Sequence, residues 1–258
     1  MPFSVTTQPH LGGRWTSLRD PAGREWLWAR PAPERNSVRP GQEFVDAGGV
    51  EECLPTISGH PDHGDLWTRS WTPDERGCVV TTPEFELRRS ITAADRITVD
   101  YELRGRPGTG FIWALHALLR PDPGTWVEAT PGPCRAWPDP ARLVETRWPA
   151  VLGDERFPGL GPDDGTAMFA LLPDRPSLTV RQGQARLRFQ LRCPGQPVSF
   201  GLWRNLGGFP AETGSAYRSF GIEPMLGLVP DRARAEPAEL ARIPGSGQVR
   251  WQVVIDGG

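Results

Sequence analysis

The amino-acid sequence predicts an all-β fold, a large antiparallel β-sandwich formed by the whole chain, residues 1–258. Apolar and polar side chains alternate in many segments, helical periodicity is nearly absent, and Pro or Gly stands in almost every gap. Many short strands separated by turn signals are typical of a sandwich or a barrel. All-β proteins of this length are commonly single domains, so we expect one domain.

Three segments show strand-type alternation most clearly. In Arg96–Leu103, Ala185–Arg192 and Val249–Ile255, every second residue is apolar and the intervening residues are mostly polar. This pattern predicts half-buried antiparallel strands. Further strands are expected near Gly13–Leu18, Trp26–Ala29, Cys78–Thr82, Phe85–Ile91, Gly110–Leu119, Trp126–Ala129, Ala167–Leu171, Ser177–Val180, Val198–Trp203 and Ser219–Ile222.

The remaining segments are predicted to be less regular. A short helix is expected around Pro237–Arg242, with Pro at an early position, and Pro31–Gly41 is expected to be a loop. Thr130–Gly165 contains many prolines and is expected to be irregular. Its residues Trp137 and Trp148 leave two interpretations open, an ordered rim of a cleft or a surface loop that packs down on the protein.

Composition and charge exclude several functional classes. The formal net charge is −2 and the pI is about 6.1, so no basic field indicates a nucleic acid or an anionic membrane as partner. The N-terminal residues lack the pattern of a signal peptide, and no apolar run approaches the roughly 20 residues of a membrane helix. The four cysteines are scattered without a CxxC motif and are expected to be reduced. We expect a cytoplasmic monomer or homodimer.

The stretch Pro61–Trp71 has the composition of a sugar-binding site. Its sequence, PDHGDLWTRSW, combines one His, two Asp, one Arg and two Trp. An indole offers an apolar face to the C–H side of a pyranose, while the acids, Arg and His can hydrogen-bond its hydroxyls. The candidate sugar-binding residues in it are His63, Asp65, Trp67 and Arg69. His60 and His63, with acids nearby, could bind a metal ion, so a metal-dependent enzyme is a further alternative. The Pro and Gly residues around the two histidines rule out a helix that would place both on one face.

Two further residues are candidates for proton transfer. His116 lies in the most apolar run of the chain, where it is either a satisfied core residue or a residue beside a ligand. Glu223 lies between Ile222 and Pro224, a poor setting for a solvated carboxylate. A buried carboxyl has a raised pKa and can act as a general base near neutral pH. The alternative is an ion pair of Glu223 with an arginine such as Arg218 or Arg204.

Several segments, taken in order, resemble the aldose 1-epimerase (galactose mutarotase-like) superfamily. They are Leu11–Leu18, Asp20–Trp28, Asp46–Pro55, Pro61–Trp67 with Trp71, Phe111–His116, Gly201–Gly208 and Gly221–Met225. The resemblance implies a galactose mutarotase-like supersandwich with a sugar cleft and a reaction without a cofactor. Trp67 stands where hexose-6-phosphate mutarotases tend to carry an Arg, which argues against a phosphosugar, although Arg69 could substitute.

The resemblance also implies roles for individual residues. Glu223 would accept the proton of the anomeric hydroxyl, His116 would donate one to the ring oxygen, and His63 would hydrogen-bond near that oxygen. Ring opening, rotation of the aldehyde and closure would then interconvert the α and β anomers of an aldose or aldose derivative. Trp203 is a candidate for stacking on the small-molecule sugar substrate. A non-catalytic carbohydrate-binding protein of the same fold is the alternative.

Overall fold

The computed structural model describes residues 1–210 and 216–257. Within these residues the chain forms twenty β-strands, numbered in chain order. They are β1 (Ser4–Gln8), β2 (Arg14–Arg19), β3 (Gly49–Cys53), β4 (Thr72–Asp74), β5 (Gly77–Thr81), β6 (Phe85–Ala93), β7 (Ile97–Gly105), β8 (Gly110–Phe111), β9 (Trp113–Leu119), β10 (Thr125–Glu128), β11 (Gly132–Asp139), β12 (Arg142–Trp148), β13 (Gly159–Leu160), β14 (Thr166–Pro173), β15 (Ser177–Gln182), β16 (Ala185–Arg192), β17 (Val198–Phe209), β18 (Tyr217–Leu226), β19 (Ala241–Arg242) and β20 (Gln248–Gly257). Short 3-10 helices occupy Pro33–Ser37, Leu66–Thr68 and Arg232–Arg234.

The strands form two large antiparallel sheets. Sheet 1 has the spatial order β1-β2-β3-β9-β18-β17-β14-β11-β12, and sheet 2 has the order β13-β10-β15-β16-β20-β7-β6-β5-β4. A small third sheet pairs β8 with β19. The predicted all-β antiparallel sandwich is therefore confirmed.

The hydrophobic core lies between the two large sheets. Trp113 of sheet 1 meets Trp251 of sheet 2 edge to face, with ring centroids 4.9 Å apart, and Trp251 stacks on Tyr101. Apolar residues of both sheets belong to the same buried cluster. The alternation seen in the sequence thus corresponds to side chains that point into this core on every second position.

Three segments differ from the sequence-based expectation. The strand expected over Trp26–Ala29 was wrong, because Leu27 and Ala29 form only isolated bridges, to Leu119 and Gly48. The region expected to be irregular, residues 130–165, contains the hairpin β11–β12 at one edge of sheet 1. Arg135 and Ala136 pair with both β12 and β14, while Pro133 and Pro138 fall outside the part of β11 that pairs with β14. Prolines are tolerated there because they remove no hydrogen bond from a doubly paired stretch. The helix expected around Pro237–Arg242 was also wrong, because this segment forms a turn followed by β19.

The four cysteines are all free, and three of them are buried. This agrees with the thiols expected from their scattered positions. In residues 1–210 and 216–257, no helix is long and apolar enough to cross a membrane.

Candidate active site

The face of sheet 1 that points away from sheet 2, here called the cleft face, carries the candidate proton-transfer residues. Along β9, Ala117 packs in the core between the sheets, so the neighbouring His116 points to the cleft face. Strand β3 places Glu51 directly opposite His116. On the other side of β9, Ile222 of β18 pairs with Ala117, which places Glu223 next to His116.

His116 and Glu223 form a close buried pair. His116 Nε2 lies 3.6 Å from Glu223 Oε1, and the two side chains are only 8% and 2% exposed. Among the described residues, neither His116 Nδ1 nor Glu223 Oε2 has a hydrogen-bond partner. A buried polar atom without a partner is costly and calls for a functional explanation. The pair therefore has free acceptor and donor capacity for a molecule that enters the cleft.

Glu223 does not form the ion pair with Arg218 or Arg204 that was the alternative to a role in proton transfer. Arg218 binds Asp163 and two backbone carbonyls, and Arg204 binds Asp164 and the Thr166 hydroxyl. Both arginines thus have their own anionic partners. The side chain that lies beside Glu223 is His116, at 3.6 Å.

Burial keeps this pair uncharged. It raises the pKa of the Glu223 carboxyl to about 8. Burial, reinforced by the positive charge of nearby His63, lowers the pKa of His116 to about 3. Near neutral pH the pair therefore holds one proton, and that proton lies on Glu223. Both groups have pKa values far from those of exposed side chains, as is common at functional sites.

His63 lies beside this pair. It sits in the turn between Pro61 and Gly64 with a left-handed φ of 56°, which turns its ring toward the sheet. Its ring meets that of His116 edge to face at 5.1 Å. His63 Nδ1 is 2.9 Å from Asp62 Oδ1, and this bond orients the imidazole. Although partial burial opposes ionisation of Asp62, its contacts with His63 and with a backbone N–H hold its pKa below the usual value.

Phe44 covers the site from an irregular segment that the sequence analysis did not single out. Its ring stacks on His63 with centroids 3.7 Å apart and meets His116 edge to face at 6.1 Å. An open cavity of about 470 Å³ adjoins it, with walls formed by Gly41, Gln42, Glu43, Phe44, Gly59, His60, Asp62 and Phe209. Phe44 thus belongs both to the cavity wall and to the ring contacts of His63 and His116.

Two arginines that sequence reasoning missed surround Glu51 on the cleft face. Arg35, from the Pro- and Arg-rich segment, is buried and donates to Glu51 at 2.5 Å and to the carbonyl of Trp67 at 2.8 Å. Arg14 lies 3.6 Å from the same carboxylate. Burial still outweighs both arginines and raises the pKa of Glu51 to about 7. Adjacent acids in the strand β3 were the available signal, but the partner arginines lie in distant segments.

Trp67, a predicted sugar-binding residue, is placed differently from that expectation. It is 0% exposed, its indole N–H donates to the Asp62 carbonyl, and Arg35 lies over its ring. Its edge supports Phe44 at 5.1 Å. A buried indole with both its face and its N–H engaged offers no surface for a sugar. Trp67 therefore positions the loop around Asp62 instead of lining the cleft.

Asp65 and Arg69, also predicted to contact a sugar, lie in the same turn. Both are partly exposed, and Arg69 Nη2 lies 3.7 Å from Asp65 Oδ2. Their backbones help to close the turn, since Asp65 N–H donates to Leu54 and the Arg69 carbonyl accepts from Gly12. Their recorded side-chain ion pair is thus internal to the segment.

Trp203, the candidate for stacking on the sugar, is partly exposed on the cleft face. It lies on β17 directly opposite Gly221 of β18. Trp71 and Trp148 are buried in the core, where Trp71 packs against Arg89. Gly221 leaves no space for a side chain, because an added Cβ would lie 2.8 Å from the Trp203 Cβ. Trp203 therefore occupies the cleft surface beside Glu223.

The structure also bears on the metal interpretation. Within the part of the chain that is described, no group of three or more His, Cys, Asp or Glu side chains is arranged to hold a metal ion. His60 is exposed on the cavity wall, and His63 is engaged with Asp62.

Comparison with solved structures identifies the fold. A galactose mutarotase-like protein from Lactobacillus casei matches with a TM-score of 0.69 and 12% identity, over 100% of this chain and 97% of the other. A galactose mutarotase related enzyme from Lactobacillus acidophilus matches with the same TM-score and 13% identity, over 100% and 95%. A protein from Escherichia coli K12, proposed to be an aldose 1-epimerase, matches with a TM-score of 0.72 and 14% identity, over 99% of both chains.

These matches confirm the resemblance predicted from the motifs at the level of the fold. The chain has the galactose mutarotase-like sandwich fold along its whole described length. No protein-family model matches the sequence. No curated protein matches it either. Identities of 12–14% show the fold alone, so the activity depends on the residues of this site.

Proposed function

We propose that this protein interconverts the α and β anomers of an aldose or aldose derivative by acid/base ring opening. The observation that carries the proposal is the pair His116–Glu223, buried on the cleft face with a separation of 3.6 Å and with unpartnered atoms on both residues. Opening a pyranose requires one group that removes the proton of the anomeric hydroxyl and another that protonates the ring oxygen. A pair that holds one proton supplies both.

The proton moves between the two residues during one turnover. Opening transfers it from the donor residue to the ring oxygen, while the other residue takes the proton of the anomeric hydroxyl. Closure after rotation of the aldehyde reverses both transfers and restores the starting state. The family resemblance implies that Glu223 accepts and His116 donates during opening. In the free site burial places the proton on Glu223, so this direction requires that the proton first shift to His116.

The surrounding residues fit a neutral sugar. His63, held by Asp62, would hydrogen-bond a hydroxyl or the ring oxygen, and Trp203 would stack on the apolar face of the ring. The cavity wall contains the carboxylates Glu43 and Asp62 and no arginine, a poor match for a phosphate group. Phe44 would move from His63 as the sugar enters.

Anomer exchange measured by NMR tests this proposal. A panel of aldoses is equilibrated with and without the protein, and exchange between the two anomeric proton signals is recorded. We expect at least one sugar to exchange faster in proportion to protein concentration. Saturable binding of sugars without any acceleration would contradict catalysis and would support a non-catalytic carbohydrate-binding protein.

A further inference from the structure

Three aromatic side chains form a row on the cleft face beyond the proposed reaction centre. Trp137 of β11 lies directly opposite Phe169 of β14, and Phe169 lies directly opposite Trp203 of β17. Trp203 in turn faces Gly221 of β18, two positions from Glu223. Directly opposite residues of neighbouring strands point to the same side of a sheet. The row therefore runs across three adjacent strands and ends beside Glu223.

The row faces the cleft and stays partly exposed. Each aromatic residue has a strand neighbour that is buried in the core: Ala136 beside Trp137, Ala170 beside Phe169 and Leu202 beside Trp203. The three aromatic side chains point to the opposite face, and each is partly exposed. The rings of Trp137 and Phe169 lie 5.5 Å apart at an angle of 50°. Trp137 and Phe169 pack against a second buried cluster that is separate from the core between the sheets, and part of each ring remains exposed.

The row is continuous with the cavity beside the proposed reaction centre. Trp203 meets Phe209 edge to face at 5.7 Å, and Phe209 is 44% exposed and forms part of the cavity wall. An aromatic path thus leads from the cavity to Trp137. Neighbouring strands are about 4.8 Å apart, so Trp203 and Trp137 are separated by roughly 10 Å across the sheet. One pyranose at His116 and Glu223 cannot also cover Trp137.

The chemistry of ring opening restricts what can occupy the row. The anomeric hydroxyl must be free, so any larger substrate must extend from another carbon of the reacting ring. Flat aromatic faces suit the C–H faces of further pyranose rings. Asp139, two residues beyond Trp137 along β11, is exposed, and its carboxylate can accept hydrogen bonds from hydroxyls. Arg135, two residues before Trp137, is held by Glu145, Glu239 and the Leu228 carbonyl. A neutral, hydroxylated ligand fits this mixture better than a purely apolar one.

We propose that the row Trp137–Phe169–Trp203 is a second sugar subsite, and that the preferred substrate is a reducing oligosaccharide. Its reducing-end unit would lie at His116 and Glu223, and the next unit would stack along the row. This inference rests on the proposed function for the identity of the reacting unit. The aromatic row itself does not depend on that function.

The first test compares sugars of different length. Anomer exchange is measured with glucose and galactose and with maltose, cellobiose and lactose, for the wild-type protein and for Trp137→Ala. For at least one disaccharide, we expect kcat/KM of Trp137→Ala to fall about tenfold relative to the monosaccharides, mainly through KM, because one stacking surface is lost. Trp137→Phe, which keeps a flat ring, should recover most of that loss.

A matched control uses an exposed tryptophan in the other sheet. Trp126 is 43% exposed on β10 of sheet 2, and Trp126→Ala should leave the preference between disaccharides and monosaccharides unchanged. Equal losses for all sugars in Trp137→Ala, or no loss for any disaccharide, would overturn the second subsite.

A binding measurement separates this inference from the proposed function. The same disaccharides are titrated into Glu223→Gln, with tryptophan fluorescence as readout, so that no turnover is needed. Tighter binding of a disaccharide than of its monosaccharide, lost in Glu223→Gln/Trp137→Ala, would support the subsite even if the wild-type protein exchanged no anomers. Exchange activity with equal affinity for both sugar lengths would overturn the subsite and leave the proposed function intact.

Discussion

Two buried glutamates of sheet 1, Glu52 on β3 and Glu223 on β18, have opposite surroundings. The Glu52 carboxylate accepts hydrogen bonds from Arg89, Tyr101 and Trp113 at 2.8–2.9 Å, deep between the sheets. Glu223 has His116 at 3.6 Å, and among the described residues one of its oxygens has no partner. The same side chain, equally buried, is satisfied on one face of the sheet and left available on the other.

The two glutamates show that stability and acid/base chemistry are assigned to opposite faces of the same sheet. The Glu52 carboxylate is compensated in the core, because Arg89 and two further donors engage its oxygens. A carboxyl without such partners is kept neutral by burial, and its pKa rises toward the working range of an acid/base group. Substitutions at the two positions should therefore have opposite consequences.

The largest expected effect is the loss of activity in Glu223→Gln. The amide keeps the size of the side chain but cannot accept and return a proton. We expect anomer exchange to slow by roughly 10²–10⁴-fold, the usual loss for one positioned general base. NMR exchange at saturating sugar measures this, beside a thermal melt that should show an intact fold. An unchanged rate would exclude Glu223 from the reaction.

Glu52→Gln should instead affect stability. It would leave the buried guanidinium of Arg89 without its anion, and we expect a loss of about 3–5 kcal/mol in the free energy of unfolding. Urea denaturation measures the loss. The exchange rate per folded molecule should match that of the wild-type protein at a temperature where both are folded. A stable but inactive Glu52→Gln variant would reverse the roles assigned to the two glutamates.

The pH dependence of the rate should follow the proton shared by His116 and Glu223. With pKa values of about 3 and about 8, the pair holds one proton between these limits. We expect kcat/KM, corrected for spontaneous exchange, to decline about tenfold per pH unit above pH 8 as the last proton leaves. A rate that rises through pH 8 would show that Glu223 must be ionised before the sugar binds.

The smallest expected effect is a pH-dependent difference in stability between Glu223→Gln and the wild-type protein. Burial raises the pKa of Glu223 from 4.5 to about 8. Between these values the unfolded chain has lost a proton that the folded protein keeps, so the free energy of unfolding falls as pH rises. Glu223→Gln removes this decline. The Tm of Glu223→Gln minus that of the wild-type protein should therefore increase from pH 5 to pH 8. Each kcal/mol of difference in the free energy of unfolding corresponds to roughly 2–4 °C. A constant difference would contradict the raised pKa.

The sequence predicted the fold better than it predicted the walls of the site. Alternation identified the strands that carry His116 and Glu223, because alternation reports which face of a strand is buried. The family resemblance pointed to His63, His116 and Glu223, and their proximity in the structure makes that assignment testable. Phe44 and Arg35 were missed, since both act from irregular segments that reach the site only through the folding of distant parts of the chain.

Trp67 is a residue that the sequence placed in the site and the structure does not. Its position beside His63 made it a reasonable stacking residue, but composition cannot tell whether an indole in a turn faces a ligand or the interior. The structure turns it inward against Arg35 and the Asp62 carbonyl. Trp137, in a segment expected to be irregular, instead lies on a paired strand of the cleft face.

A double-variant comparison tests the central claim most directly. Anomer exchange on one accepted sugar is measured for His116→Asn, Glu223→Gln and the variant carrying both. Because the two residues would pass one proton through one transition state, the double variant should be about as slow as the slower single variant. Slowing equal to the product of the two single effects would show that they act independently, and would contradict a shared-proton pair.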